Sequence, residues 1–510
     1  MSARQIVFDG SSLTVAGLCD VADGVAAAIL SEDAAARIDA SRAVVDRHAT
    51  DDRPMYGINT GFGALAETII PRDALDALQL NLLRSHAAGV GEPLGVRAVR
   101  ATMALRANVL AKGFSGIRRL TVEHLLALLN AHVHPIVPSR GSVGASGDLA
   151  PLAHISLVLI GEGMATVGDN PLPMSGAEAL AHAGLAPIRL GAKEGLALIN
   201  GTQPSTAVAA LALADARRLS RAADIAVALS IDALRGSVHP FEARIHDARP
   251  YAGQQRSAAN VRRLLEGSAI NKSHEKCGKV QDAYSLRCAA QVHGAARDAL
   301  DFVERTLTTE ANAATDNPMV FAGDDEIVSG GNFHGAPVSM AADLLAIASA
   351  QFATISERRC DRLVNPVLSE LAPFLTPNSG LQSGYMMAQV TAAALASEIK
   401  TLAHPASVDT IPTSANREDH VSMSMGAALK AERAVALATR VVAIEILCAS
   451  QALDLLAPLV TSPLLQRVHA HVRSGVPALE DDRPPSPDIE RIASMIATGS
   501  LENSCAGEVK

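Results

Sequence analysis

A mainly α fold, with a central bundle of long helices and a more irregular N-terminal region, is what three features of this 510-residue chain predict. The later part carries long alanine- and leucine-rich segments whose apolar residues recur in steps of three and four. One of them, Met423 to Leu456, is apolar on nearly every side. The first part, roughly 200 residues, is instead punctuated by Gly and Pro, and short helices alternate there with loops such as Asp51 to Gly63.

Taken in order, Leu149 to Ile160 reads as a buried helix with Asp148 as its N-cap and Pro151 in its first turn. Pro204 to Leu234 follows as a long helix. Leu286 to Leu307 places Ala289, Val292, Ala296, Leu300, Val303 and Leu307 on one helical face. Ala336 to Arg362 and Met386 to Leu402 have the same character. In Met423 to Leu456 the charges Arg433, Arg440, Glu445 and Asp454 are sparse, and a helix apolar all round must be buried. Thirty such residues span ~45 Å, more than an ordinary core requires, so neighbouring subunits are expected to help cover it. The alternative is a break at Gly426. Asp481 to Pro487 interrupts the chain, and Ser486-Pro487-Asp488 opens a terminal helix. Two regions result, 1–200 and 201–510, with no internal repeat and no low-complexity linker.

Hydrophobic residues make up 48% and charged residues 19%, the balance of a globular chain. The net charge of −9 argues against a nucleic-acid partner. The N-terminus has no signal-like apolar run, and no uncharged apolar stretch reaches ~18 residues, so neither export nor membrane insertion is expected. The six cysteines are scattered without a CxxC pair, which points to free thiols in a reducing cytoplasm. His132-Val133-His134 lacks a nearby third ligand, and no metal site is expected.

Gly141 to His154, GSVGASGDLAPLAH, carries the chemistry. Ser146 stands between Ala145 and Gly147, and small residues permit a tight bend. So bent, the nitrogen of Gly147 can attack the carbonyl carbon of Ala145. Loss of water, including the Ser146 hydroxyl, then leaves an imidazolone ring with an exocyclic methylidene, an electrophile made from the chain itself. The tract sits ahead of a helix N-terminus, whose partial positive charge favours electron flow into such a ring. Read alone, it is also a glycine-rich helix-entry loop. A nucleophile elbow and a phosphate loop both fit poorly, because Asp148 stands where each requires another residue.

Further polar clusters occur where a helical scaffold has no need of them: Tyr56 to Gly63 (YGINTGFG), Ser85 to Gly89 (SHAAG), Asn200 to Gln203 (NGTQ), Gln281 to Arg287 (QDAYSLR), Gly330 to His334 (GGNFH) and Thr413 to His420 (TSANREDH). Together with the serine tract, in the same order along most of the chain, they resemble the ammonia-lyases that use a methylidene-imidazolone prosthetic group. That resemblance implies an ammonia-lyase/fumarase-like helical architecture and a homotetramer whose active sites draw on more than one subunit. It implies a 4-methylidene-imidazol-5-one formed autocatalytically from Ala145-Ser146-Gly147, with no external cofactor. It places the lid loop and the prosthetic tract in region 1–200.

Within the family the chain is most similar to members acting on L-histidine, which implies elimination of ammonia to give trans-urocanate. Members acting on tyrosine or phenylalanine, and aminomutases with the same group, are the alternatives. A serine hydrolase using Ser146 and a catalytically silent protein of the same fold are rivals of other classes. By resemblance, Asn200 lies beside the ring, although a helix C-cap is its plainer role. Tyr284 is the base for the weakly acidic β-proton, and Tyr56 belongs to the lid. Tyrosine starts near pKa 10, so a cation or helix end is expected to depress it. Arg287, one turn from Tyr284, suits a bidentate bond to the substrate carboxylate. Gln281, Phe333 and Met386 line the pocket. A buried imidazole needs hydrogen-bond partners, which His86 and Glu418 can supply. Arg417 stands where the family usually has glutamine, and pairing with Glu418 would blunt that carboxylate. Ala283 replaces a common proline, and Gln382 and Tyr385 replace an asparagine and a phenylalanine.

Overall fold

The alanine- and leucine-rich segments form helices close to where their periodicity puts them. The computed structural model describes residues 4–49, 54–61, 63–275, 278, 280–505 and 507–510. Phe62 of the first polar cluster and Cys277 lie outside the described residues. The long helices are Gln203–Ala233, Ala289–Ala311, Ala336–Val364, Met386–Leu402 and Ser424–Leu455. The last, of 32 residues, continues through Gly426 without a break. It is about 48 Å long at 1.5 Å per residue. The segment expected to start at Leu286 opens instead with a short helix, Tyr284–Arg287, and restarts after Cys288, whose φ/ψ of −100°/11° leaves the helical region. Strands among the described residues form only small two- and three-stranded sheets.

Two helices, Ala336–Val364 and Ser424–Leu455, are long and apolar enough to cross a membrane, each with a mean hydropathy of 1.5. Within those stretches 67% and 83% of the residues are buried in the protein, as in core helices.

The chain forms two compact units built from interleaved segments, whereas composition divides it once near residue 200. The first comprises Met1–Leu211, Glu304–Asp343 and Pro405–Leu429. Its core includes the Val96–Ala111 helix, buried continuously from Ala98 to Ala111. A second group of helices packs mutually: Leu75–His86, Leu149–Leu159 and Glu194–Ile199. Apolar burial at about 25 cal/mol per Å² holds them together. Their ends set out the polar residues described below.

The second unit comprises Ala212–Val303, Leu344–His404 and Lys430–Lys510. Its interior carries matched ion pairs. Arg359 donates from Nε to Glu445 Oε1 at 2.5 Å and from Nη2 to Oε2 at 2.8 Å, with both side chains fully buried. Asp224 accepts from Arg297 Nη2 at 2.7 Å and from Asn260 and Ser257, and His293 Nδ1 lies 2.8 Å away. Burial alone would raise the Asp224 carboxyl, but Arg297 and His293 hold it down at about 2. Gln382 is fixed by Thr376 and by the Glu480–Asp481 backbone and side chain, which accounts for a glutamine there.

Candidate active site

Three helix ends in the first unit converge on one cavity of about 560 Å³. His86 ends Leu75–His86, Ser146 precedes Leu149–Leu159, and Asn200 follows Glu194–Ile199. All three line the cavity, with Ala145, Tyr56, Phe333 and Glu418.

The tract around Ser146 is bent and pinned. Gly147 has φ +75°, and a Cβ there would fall 2.2 Å from Gly201 O. Only glycine fits such a left-handed, close-packed position. Asp148 N donates to Gly201 O at 2.8 Å. Upstream, Met423 N donates to Val143 O at 2.8 Å and Ser422 Oγ to Gly144 O at 3.0 Å. Asp148 occupies the N-cap position but makes no side-chain cap. Its carboxylate accepts instead from Ser142 Oγ at 2.5 Å and from Ser205 N at 2.9 Å. Burial pushes that carboxyl up, and the Ser142 and Ser205 bonds oppose the shift.

Ser146 Oγ donates to Glu418 Oε1 at 2.7 Å. Thr413 Oγ1 donates to the other oxygen at 2.6 Å, and Thr413 and Glu418 also pair through their backbones. Thr413 lies in the polar cluster read from the sequence, but its role in aiming Glu418 emerges only from this turn. No ion pair joins Arg417 to Glu418 among the described residues. Arg417 is exposed at the cavity edge, so the expected blunting of Glu418 does not occur by pairing.

Asn200 reconciles its two readings. Its backbone N–H closes on Leu196 O as the helix C-cap, while its side chain stays free for the cavity. The residue is only 3% exposed, and its Oδ1 has no hydrogen-bond partner. Leaving a buried carbonyl oxygen open is costly, which marks it as a position awaiting a donor.

His86 Nδ1 lies 2.9 Å from Leu82 O. A carbonyl can only accept, so Nδ1 carries the proton and Nε2 keeps its lone pair in the neutral ring. Burial pushes this imidazole below its usual range, with Leu82 and Glu418 opposing. Tyr56 departs from expectation. Burial raises its phenol above 10.0, Gly63 opposes through a backbone hydrogen bond, and Glu418 adds to the rise. A phenol so raised keeps its proton at neutral pH. Phe333 is half-buried against the cavity rather than packed in the core.

The remaining predicted residues belong to the second unit and do not line this cavity. Gln281 and Arg287 line a different one, of about 750 Å³. Tyr284 is 70% exposed, and the Arg287 guanidinium lies 4.6 Å from its ring centroid, a cation–π contact. Met386 is 37% exposed at the start of Met386–Leu402.

A residue missed from sequence is Arg106, whose side chain reaches under Asn200 from the buried Val96–Ala111 helix. The available signal was an arginine inside an otherwise deeply buried run.

Fold and cavity together define the class of ammonia-lyases and aminomutases. The chain belongs to the aromatic amino acid lyase family, whose sequence profile matches residues 13–474. It is 55% identical over 506 residues to a histidine ammonia-lyase of Anaeromyxobacter sp. (strain K), covering 98% of this chain and 100% of that one. Its fold is similar to the crystal structure of histidine ammonia-lyase from Trypanosoma cruzi, with a TM-score of 0.92, 46% identity and coverage of 99% and 96%. It is equally similar to a tyrosine aminomutase from Streptomyces globisporus, with a TM-score of 0.94, 38% identity and coverage of 99% of each chain.

Proposed function

We propose that this chain is a carbon–nitrogen lyase that eliminates ammonia from L-histidine to give trans-urocanate. The observation that carries this reading is the Glu418 carboxylate held against Ser146 in a cavity shared with His86. An imidazole entering there can donate its ring N–H to Glu418 or to the Nε2 lone pair of His86, a polar contact an aromatic hydrocarbon lacks.

Ala145, Ser146 and Gly147 fit the methylidene-imidazolone group that the family resemblance implies. The tight approach of Gly147 to Gly201 and the orphaned Asn200 Oδ1 support it. Once formed, that group supplies an electrophilic carbon for the substrate amine. Asn200 Oδ1 then accepts a hydrogen from that amine. Arg287 holds the carboxylate through its paired donors, and Tyr284 removes the β-proton. Tyr56, protonated, donates from the lid. Gln281, Phe333 and Met386 bound the substrate.

Tyr284, Arg287, Gln281 and Met386 are supplied to this cavity by other copies in a homotetramer, which also covers exposed apolar residues such as Val280, 95% exposed, and Leu381, 91% exposed. The enzyme works in the cytoplasm. Free thiols at Cys288, Cys360, Cys448 and Cys505 support a reducing compartment. A hydrolase is disfavoured because Ser146 is bonded to a carboxylate, and no histidine bonds its hydroxyl among the described residues.

Purified protein with L-histidine is expected to develop the ultraviolet absorbance of urocanate and release ammonia, with tyrosine and phenylalanine turned over far more slowly. Equal turnover of tyrosine would overturn the substrate assignment. A β-amino acid seen by NMR would move the chain to the aminomutases.

A further inference from the structure

We infer that Arg106 is a positioning residue for the prosthetic tract, acting through the Asn200-Gly201 turn. This rests on the proposed function, and it adds a requirement for making the electrophile.

Arg106 is 2% exposed. Its Nη1 donates to Asn200 O at 2.6 Å and to Gln203 Oε1 at 2.7 Å, and its Nη2 donates to Ala197 O. The guanidinium therefore caps the C-terminal end of the Glu194–Ile199 helix, where carbonyls lack intrahelical donors and the dipole favours a cation. Gln203 in turn donates to Thr315 Oγ1 at 2.6 Å. These groups form a cradle around Gly201. A Cβ there would meet Gln203 Oε1 at 2.5 Å, and Arg106 Nη1 and Thr315 O at 2.6 Å each. The far side of Gly201 faces the tract, since its carbonyl accepts from Asp148 N and crowds Gly147. Arg106 thus fixes the wall against which Gly147 is pressed, and the backbone from which the open Asn200 Oδ1 extends.

Arg106 has no carboxylate to itself. Asp316 Oδ2 lies 3.9 Å from Arg106 and 3.7 Å from Lys193, and all three side chains are at most 2% exposed. Two buried basic side chains flank one carboxylate there, so the short bonds of Arg106 run to the Asn200 and Ala197 carbonyls and to Gln203. Burial lowers the Arg106 guanidinium to about 10, with Asp316 opposing, so it stays charged at neutral pH.

Cyclisation forms the bond from Gly147 N to Ala145 C. The Ala145 oxygen leaves as water with the hydrogens of the Gly147 and Ser146 nitrogens. The Ser146 hydroxyl leaves as a second water with the Ser146 α-hydrogen. No oxidant is needed, and the protein becomes lighter by two waters. The first step needs Gly147 N held close to the Ala145 carbonyl carbon, and displacement of the order of 1 Å can cost ~100-fold in rate.

The test is intact-protein mass spectrometry on the folded, soluble fraction of Arg106→Lys, Gln203→Leu and a control, Arg297→Lys, in the second unit. Lysine keeps the charge but carries its donors on one nitrogen, which cannot span the acceptors reached from Nη1 and Nη2. Arg106→Lys is expected to raise the uncyclised fraction about tenfold or more, and Gln203→Leu to raise it less. Per ring-bearing site, kcat should fall in Arg106→Lys while KM for histidine holds. Arg297→Lys should stay fully cyclised at an equal loss of melting temperature. Full cyclisation in both Arg106→Lys and Gln203→Leu would overturn the inference, as would uncyclised chain in Arg297→Lys at the level of Arg106→Lys. Wild-type protein without the two-water deficit would overturn the functional reading itself, and the inference with it.

Discussion

The two units differ in how closely their buried charges are paired. The second holds close buried ion pairs, Arg359 with Glu445 and Asp224 with Arg297, His293, Asn260 and Ser257, while Asp232 is buried on the hydroxyls of Ser268 and Thr461. In the first, Asp148 is fully buried with no cation, Arg106 and Lys193 share Asp316, and Asn200 Oδ1 and Asp316 Oδ2 have no hydrogen-bond partner. Matched buried charge specifies a framework. Unmatched buried polarity costs stability, and beside Ser146 the proposed chemistry draws on it at Asn200.

The contrast can be broken most sharply at Ser146. Ser146→Ala should lower ammonia release by about 1,000-fold or more with unchanged circular dichroism and melting temperature. Retained turnover would remove the electrophile from the mechanism. If sites are shared between copies, Ser146→Ala and Tyr284→Phe chains, each inactive alone, should regain up to about a quarter of wild-type activity when co-expressed, as random mixing of two defects in four chains predicts. Absence of any recovery in verified mixed oligomers would place all the residues in one chain.

The framework responds differently. Glu445→Gln leaves Arg359 without its counter-charge and should cost about 3–5 kcal/mol in chemical denaturation, with activity per folded molecule preserved. His134, in the first unit, gives a pH signature. Burial, with Arg100 and His132, pushes its imidazole from 6.5 down to about 4. Above pH 6.5 the ring is neutral in both folded and unfolded chains. As pH falls toward 4 only the unfolded chain takes up the proton, so about 2–3 kcal/mol of stability is lost across that window. His134→Gln should flatten the slope. At the small end, Arg440→Ala breaks a surface pair with Glu490 and should change stability by no more than about 1 kcal/mol.

What the sequence made legible follows from range. Met386–Leu402 and Ser424–Leu455 are read nearly to the residue, because helical periodicity is local and both runs are long. The motif residues of the first unit, from Tyr56 to Glu418, do meet in one cavity. Their individual settings were not legible. The raised Tyr56 phenol depends on burial beside Glu418, and the diversion of Asp148 from capping depends on Ser205, far along the chain. Arg417 suggested an ion pair through adjacency, yet consecutive side chains diverge, and Ser146 and Thr413 engage Glu418 instead. Arg106 escaped notice because its three acceptors lie more than ninety residues away.

The hydrogen bond from Ser146 to Glu418 has a fate as well as a geometry. In the proposed chemistry the donor hydroxyl departs when the ring closes. Maturation thereby vacates Glu418 Oε1 at the moment the reactive carbon appears. On that proposal the young chain holds the Glu418 carboxylate with a placeholder that is discarded once and never restored. An enzyme so made has no way back to an unripe state, and the share of working sites in any population is a record of how each molecule folded.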